Sequence, residues 1–515
     1  MKNRDISYAQ EYHQETKHTE MSLRTSAHYL DWENKPFPFK IYEGPPSVPL
    51  PRDFPRPESD ALACISGLGR GKETDFGISQ LAELLFFSAG LTRKFRFGGE
   101  TLYMRAASAT GALYPIELYV VCGDFPGLKA GVYHFNPFDF ALVQIRAGDF
   151  RVELAAVSDE KVRSAPATIV FSSLAWRNAW KYEARSYRHW FWDGGVIAAN
   201  LLAVLASTGI STRIVASFVD ASVNELLGLA HGKEATVFLM PLGIGLEGAE
   251  NRPPRPVARV DGKFRPLSRE EVDYPEIWRM HEASSLSSPD DVKSWVREKI
   301  PLAERAPAGP TFPLSERESS PREKLGDVIL RRGSSRRFSQ NPVGFSELST
   351  IVRTSTEQLP LDYSRDGNGL IDVYFLANAV EGLPVGSYFF NRKMDIFDQL
   401  KSGKMRWASS YLCLEQPLFG DASVVFFLMS PLGEVLKVFG NRGYRTAQLE
   451  GGIVAGRIYL SAYALGLGAS GSTFYDDAVT EFFSPHAKDM SAMIAVGVGV
   501  PGYKARPGKV LAQFS

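Results

Sequence analysis

Apolar positions along the chain alternate between two periods, and their order predicts a repeated set of elements. From Ile78, "SQLAELLFFSAG" carries the spacing of a helix and runs into a glycine-containing loop. Three short apolar runs bounded by turn residues, "IELYVVCG", "GVYHFN" and "ATIVFSS", then predict strands. A long helix follows from about Tyr187 to Thr208, apolar on nearly every face and therefore expected to be buried all round. A strand "RIVASF", a helix "ASVNELLGL" and a strand "VFLMPLGIG" complete the unit, and the order recurs from about Leu325. Strands and helices mix without strict alternation, which predicts an α+β class over a doubly wound sheet.

The recurrence is a duplication. Residues 185–220 return without a gap as 442–477, an offset of 257: Arg185, Tyr187, Arg188, Gly194, Gly195, Gly209 and Asp220 answer Arg442, Tyr444, Arg445, Gly451, Gly452, Gly466 and Asp477. Asp193 returns as Glu450. The upstream strands repeat at an offset of 255, and Gly243 returns as Gly497 at 254. Solenoid repeats are about 20–50 residues long, so this period implies two large domains forming an intramolecular pseudo-dimer. Glycine costs about 1 kcal/mol inside a helix, so the Gly-Gly pair opening each long helix predicts that another backbone comes close there, the helix of the other half.

Four segments follow: an aromatic and proline-rich extension over 1–60, a first domain over 61–250, a connecting arm over 251–320 and a second domain over 321–515. Prolines forbid regular helix or central strand in the extension, while Tyr29, Trp32, Phe37, Phe39 and Tyr42 predict that it wraps a domain surface instead of trailing free. One helix is expected in the arm near "DDVKSWVREKI".

Composition removes several classes. Lys plus Arg and Asp plus Glu are both 58, so no global field draws the chain to nucleic acid or an anionic membrane. The most apolar run, "GGVIAANLLAVLASTGI", is shorter than the roughly 20 residues needed to span a bilayer. Cys64, Cys122 and Cys413 have no metal-ligand spacing and cannot all pair, and the polar amino terminus lacks a signal-peptide pattern; both point to the cytoplasm. The eight histidines form no ligand set, so no metal is expected. "GVGVPG" fits a dinucleotide pattern, but the prolines that follow leave no helix to hold a pyrophosphate. "SGLGRGKE" has Ser66 and Glu73 where a phosphate loop needs glycine and a hydroxyl.

Candidate chemistry lies elsewhere. "RRGSSRRF", Arg331 to Phe338, crowds four arginines and two hydroxyls, which repel one another unless an anion sits among them. "SATGALYP", Ser108 to Pro115, is a loop of small residues suited to close backbone approach. "KYEARSYR" sets Lys181 and Tyr182 just before the first long helix, where the second half has Val438 and Phe439.

Together with "YHQETKH" and "LDWENKPFPF", these motifs resemble the flavin-dependent nitroreductase superfamily, in particular its tandem SagB-type dehydrogenase branch. The resemblance covers nearly the whole chain and implies an FMN-dependent oxidoreductase built of two nitroreductase-like domains. It assigns Arg332, Ser334 and Arg336, with Lys504 and Arg506 of "GYKARPG", to the phosphate. It assigns Ser108, Ala109 and Gly111 to a loop over the flavin, Ser108 and Ala109 standing where the family has proline and serine. Gly471, Ser472 and Thr473 fall on the turn that faces flavin N5, and Lys181 and Tyr182 on the pair that assists proton removal. The first half keeps the loop and lacks "RRGSSRRF"; the second keeps "RRGSSRRF" and has "SRDGNGLIDVY" for the loop, so one composite FMN site is expected. The implied substrate is a small molecule or modified peptide oxidised at an azoline ring. The alternatives are an NAD(P)H-dependent nitroreductase-like reductase and a non-catalytic flavin-binding partner of a peptide-modifying complex.

Overall fold

The computed structural model describes residues 2–67, 76–246, 248–260, 262–296, 305–317, 323–364 and 369–503. Two large antiparallel sheets form, one in each half, beside a two-stranded hairpin. In the first, the strands lie in the order Ser47–Pro49, Ala141–Ala147, Gly131–Asn136, Ile116–Cys122, Ala167–Leu174, Glu234–Leu242. In the second, the order is Gly468–Ser472, Ser491–Gly499, Val424–Ser430, Asp372–Ala377, Gly386–Asn391, Ile396–Ser402, Thr311–Pro313. Five strands of each sheet correspond one to one, so the duplication in sequence is a duplication in space. Ile116–Cys122 and Val424–Ser430 are buried at every position, as expected of β-rich runs covered on both faces.

The edge strands carry the repeat further upstream than the sequence pattern does. Ser47–Pro49 pairs with Ala141–Ala147, and Thr311–Pro313 pairs in the same sense with Ile396–Ser402. Both end in proline, which an edge tolerates because one side of the strand needs no donor. Just beyond them the halves clasp reciprocally: Ala61 N donates to the Glu323 carbonyl at 2.9 Å and Leu325 N to the Ser59 carbonyl at 3.0 Å.

The two long helices, Ser186–Thr208 and Arg442–Ala464, form the centre and are buried along almost their whole length. They cross at the paired glycines, as expected. Each helix opens on an Arg-x-x-Arg pair that reaches into the other half. Arg185 and Arg188 hold Asp476 at 3.0 and 2.7 Å, and Arg442 and Arg445 hold Asp220 at 2.7 and 2.5 Å. The sequence match of Asp220 with Asp477 is therefore off by one: the carboxylate equivalent to Asp220 is Asp476, while Asp477 is half exposed and pairs with Lys17. Neither acid caps the helix Asp476–Phe483 through its side chain.

The extension wraps both halves, although of the aromatics that predicted this only Phe39 and Tyr42 are buried, while Tyr29, Trp32 and Phe37 are exposed. Its first helix, Ser7–Glu15, places Tyr12 between Tyr187 and Tyr444, 5.7 Å from each ring and edge-on to both. That helix precedes the proline-rich stretch, whose irregular course over Lys35–Gly44 ends in a buried ion pair between Lys40 and Glu234.

Four expectations need correction. The loop after the helix Ile78–Ala89 is a hairpin, Leu91–Phe97 with Glu100–Arg105 around Gly98 and Gly99. "RIVASF" makes only isolated bridges, because Ile214 pairs with Leu361 of the other half as well as Val215 with Leu239. The connecting arm has two helices, Pro275–Ala283 and Pro289–Trp295. The extension, expected to lack helix, contains Ser7–Glu15.

Candidate functional site

Between the halves lies a cavity of about 510 Å³. The first half supplies the hairpin residues Thr92 and Arg93, the loop Ser108–Ala112, and Lys181, Tyr182 and Asp193. The second supplies Arg332 to Ser334, Arg336, Gln416, Tyr459 and Ser470 to Thr473. Of the site residues named from sequence, Ser108, Ala109, Gly111, Lys181, Tyr182, Arg332, Ser334, Arg336, Gly471, Ser472 and Thr473 all converge on this one cavity. Lys504 and Arg506 lie outside the described residues.

The first-half loop is held in a demanding conformation. Gly111, Ala112 and Tyr114 all have positive φ, of 64°, 54° and 51°. Gly111 is required twice over, since a Cβ there would also lie 2.8 Å from the Tyr182 hydroxyl. Arg177 steadies the loop from below, its Nη1 donating to the Tyr114 carbonyl at 2.7 Å and to Glu117 at 2.5 Å. Thr110 is anchored to the central helix: its N–H and its hydroxyl donate to Asp193 Oδ1 at 2.8 and 2.7 Å.

Lys181 and Tyr182 end the helix Ala175–Tyr182. The chain then turns through Glu183, whose φ of 48° and ψ of −142° belong to glycine's territory, before the central helix begins. The Lys181 ammonium is half-buried 5.3 Å from the Tyr182 ring centre. Burial, and secondarily the charge of Arg336, lower its pKa. Tyr182 stacks edge-on against His189 at 4.7 Å, and burial, with the nearby Asp193, raises its pKa.

Cations gather on the opposite wall. Arg93 Nη2 donates to the Leu330 and Arg331 carbonyls at 2.6 and 2.7 Å, capping the helix Leu325–Arg331. Arg332 is buried, with Nε donating to the Ala106 carbonyl at 3.0 Å and Nη2 to that of Arg105 at 3.2 Å. Arg332 is thus a strut between halves as well as a wall, a role not anticipated from its motif. Ser334 Oγ lies 3.3 Å from the Tyr459 hydroxyl, which also accepts from Gly471 N. Gln416 Nε2 donates to Ser472 Oγ at 2.8 Å, and Arg185 Nη2 to Thr473 Oγ1 at 3.0 Å.

Asp193, Arg93, Gln416 and Tyr459 escaped the sequence reading, and Thr110 was included only as part of its loop. Of the four, Asp193 left a signal, as an acid repeated in an otherwise apolar helix. Burial pushes its carboxyl up to about 7, against the pull of the Thr110 bonds.

At the duplicate position the chain bridges between the halves beside a separate cavity of about 950 Å³ lined by Lys161, Thr212, Arg213, Ser217, Pro360 and Asp362. There Ile214 donates to the Pro360 carbonyl at 2.7 Å and accepts from Asp362 N at 3.0 Å. The Asp362 carboxylate accepts from the N–H groups of Ala216 and Ser217 at 3.1 and 2.8 Å. In place of Tyr182 stands Phe439, packed with Trp295 and Tyr363 at 5.2 and 5.8 Å. The stretches 68–75 and 365–368, which hold most of the motifs contrasted with the intact site, lie outside the described residues.

Known proteins agree with this architecture. The family model described as the Nitroreductase family matches residues 78–244 and again 329–498. A Methanocaldococcus jannaschii protein named as a nitroreductase is 28% identical over 172 residues, covering 33% of this chain and 82% of that one. The trifolitoxin-processing protein TfxB of Rhizobium leguminosarum bv. trifolii is 31% identical over 132 residues, 24% of this chain and 35% of that one. A crystal structure from Anabaena variabilis, of a protein named as a nitroreductase, superposes with a TM-score of 0.76 at 25% identity, covering 96% of this chain and 99% of that one. Proteins of the matched family are generally FMN-dependent oxidoreductases. With two family domains in tandem and a cavity between them, the chain belongs to the nitroreductase family.

Proposed function

We propose that this protein is an FMN-dependent oxidoreductase that binds one flavin per chain in the composite cavity and works as a SagB-type dehydrogenase on an azoline ring carried by a small molecule or modified peptide. The observation that carries this reading is the convergence of Lys181 and Tyr182 from one half with Arg332, Ser334 and Arg336 from the other.

The residues present fit a flavin mononucleotide. The volume is within the roughly 300–1,000 Å³ of ligand pockets. Arg93, Arg332 and Arg336 supply positive charge for a phosphate, and Ser334 a hydroxyl donor. Gly471 permits close approach of a planar ring to the backbone. When bound, FMN supplies a two-electron acceptor at N5.

The remaining chemistry falls to side chains. Lys181 gives up its proton more readily than an exposed lysine, so it can act as base toward a substrate lying in the cavity. Tyr182 stays protonated and serves as the hydrogen-bond donor that orients the substrate and passes the proton on. The loop Ser108–Ala112 closes the first-half side against water. The name of TfxB, which assigns it to the processing of trifolitoxin, supports a modified-peptide substrate. Phe439 in place of Tyr182 and the bond from Ile214 to Pro360 at the duplicate position support a single flavin.

Purification with added FMN tests the reading: bound flavin near one equivalent per chain is expected, and a protein that stays colourless after FMN is added rules it out. The relative named as a nitroreductase favours one alternative, reduction of the same flavin by NAD(P)H. Rapid bleaching of bound FMN by NAD(P)H, unchanged in Lys181→Ala, would select that alternative.

A further inference from the structure

The hairpin Leu91–Phe97 with Glu100–Arg105 is a two-stranded sheet, and no third strand joins either edge among the described residues. Its loop is the two residues Gly98 and Gly99, both at positive φ, so the flanking pair Phe97–Glu100 exchanges both backbone bonds and the pairs behind it alternate. Phe95–Leu102 and Arg93–Met104 are then bonded pairs, and Lys94 and Arg96 turn their N–H and C=O groups outward. Neither backbone bonds to another element among the described residues.

Side chains alternate along the same strand. Lys94 and Arg96 share one face, both exposed, and the residues paired with them, Tyr103 and Thr101, bring no carboxylate. Phe95, 41% exposed, stands on the other face beside Leu102. At the root of the strand, Thr92 and Arg93 line the composite cavity. With a rise of about 3.3 Å per residue, Arg96 lies about 10 Å farther out than Arg93.

An open edge recruits another chain unless it is guarded. Lys94 and Arg96 guard this one against a second copy of itself, because like charges would stand side by side, and the same two charges favour an acidic chain. A chain paired to the edge sets alternate side chains beside Lys94 and Arg96 on one face and beside Phe95 on the other. The sequence that fits therefore alternates acidic and apolar residues, and a chain that continues past Arg93 reaches the cavity.

We propose that residues 94–96 are a docking strand, which takes an extended, alternately acidic and apolar segment of the peptide substrate by strand addition, a few residues from the ring to be oxidised. The proposal rests on the modified-peptide reading given above and adds the chemistry of the segment and the place where it binds.

The test follows fluorescence anisotropy of a rhodamine-labelled decapeptide of alternating glutamate and valine added to the full chain. The peptide should bind, less tightly as salt rises. A lysine–valine decapeptide, and the glutamate–valine decapeptide N-methylated at every amide, should each bind at least about tenfold more weakly. Lys94→Glu with Arg96→Glu should weaken binding about tenfold, as two attractive pairs become repulsive. Both side chains are exposed, and an unchanged melting temperature verifies the fold. Lys94→Pro, which an edge tolerates because this N–H points outward, should weaken binding more than Lys94→Gln, which removes the same charge. The proposal is overturned if the lysine or the N-methylated peptide binds as well as the parent, or if the charge reversal leaves the affinity unchanged. Preference for an oligothymidylate of equal charge overturns it in favour of nucleic acid. Turnover tests the link to the cavity: the parent decapeptide ending in a thiazoline should be oxidised by the wild type, and not by the double variant, with a KM at least about tenfold below that of the free thiazoline. If neither thiazoline is oxidised, the dehydrogenase reading fails, while binding of the decapeptide still decides the docking strand.

Discussion

Gly195 and Gly452 bring the two central helices into backbone contact: a Cβ on Gly195 would lie 2.6 Å from the Leu449 carbonyl oxygen, and one on Gly452 2.5 Å from that of Trp192. Backbone cannot yield as a side-chain tip can. Gly195→Ala should therefore push the halves apart, at or above the roughly 1–3 kcal/mol typical of overpacking. Gly194→Ala, whose added carbon would meet the Phe238 ring edge at 3.0 Å, should cost less. Denaturant midpoints of the two variants give the comparison.

Glu183 adopts φ 48° and ψ −142°, and its duplicate Gly440 adopts φ 68° and ψ −161°. The same unusual backbone is thus held by glycine in one half and by a glutamate beside Lys181 and Tyr182 in the other. Such strain costs on the order of 1–3 kcal/mol. Glu183→Gly should stabilise the protein by about 1 kcal/mol net of unfolded-state entropy, read from chemical unfolding. Gly440→Ala should be severely destabilising, because its Cβ would fall 2.1 Å from the Asn3 carbonyl oxygen.

Asp220 and Asp476 tie each half to the arginine pair of the other. Burial disfavours their charge, but the paired arginines prevail and hold both carboxyls below the ordinary range, Asp220 at about 2. Both folded values are depressed, so the stability they confer is present above the unfolded value near 4 and is lost as pH falls toward 2. Acid unfolding should fall in that window. Asp476→Asn at neutral pH should cost about 3–5 kcal/mol by leaving buried guanidinium charge unpaired, whereas Asp477→Asn should cost under about 1 kcal/mol. Calorimetry across pH would separate the two.

Asp193 and Glu450 behave oppositely, since burial raises both to about 7. Their carboxyls favour folding below the unfolded value near 4, and that contribution is lost as pH rises through 7. Relative to wild type, flavin-free Asp193→Asn should gain stability between pH 4 and 7 and level off above. A gap in melting temperature that does not widen over that range would contradict the assignment.

Lys181→Ala should retain bound FMN while lowering turnover by about a hundredfold or more, the usual contribution of a positioned general base. Tyr182→Phe should fall between this variant and wild type. Single-turnover reduction of the flavin by substrate, monitored by absorbance, distinguishes a loss of chemistry from a loss of cofactor.

The central helices and most of the inner strands are legible in the sequence, because buried strands and an all-apolar helix leave patterns that survive divergence between the halves; the order of the strands in each sheet is not. Part of the cavity wall is also legible, through motifs that differ between halves: Lys181 and Tyr182 against Val438 and Phe439, and "RRGSSRRF" against nothing similar. Arg93, Gln416 and Tyr459 were hidden because their roles depend on which elements meet across the interface, and no local spacing records that. The hairpin after Ala89 had a legible sign, alternating residues around Gly98-Gly99, but its charged residues read as loop. The one-residue slip between Asp477 and Asp476 arose because two adjacent acids satisfy the same alignment, and only the arginines choose between them.

Tyr12 touches Tyr187 and Tyr444 at the same distance and nearly the same angle. Its helix has a counterpart in the arm, Pro275–Ala283: Arg188 Nη2 donates to the His13 carbonyl at 2.9 Å as Arg445 Nη2 donates to that of His281 at 2.6 Å, and Thr16 and Ser284 accept from the Nε of the same two arginines. Met280 stands in that copy where Tyr12 stands in the first. Two identical subunits would have to carry the same residue at both places. Fusion in one chain lifts that restriction, so one copy can specialise without dragging its twin along.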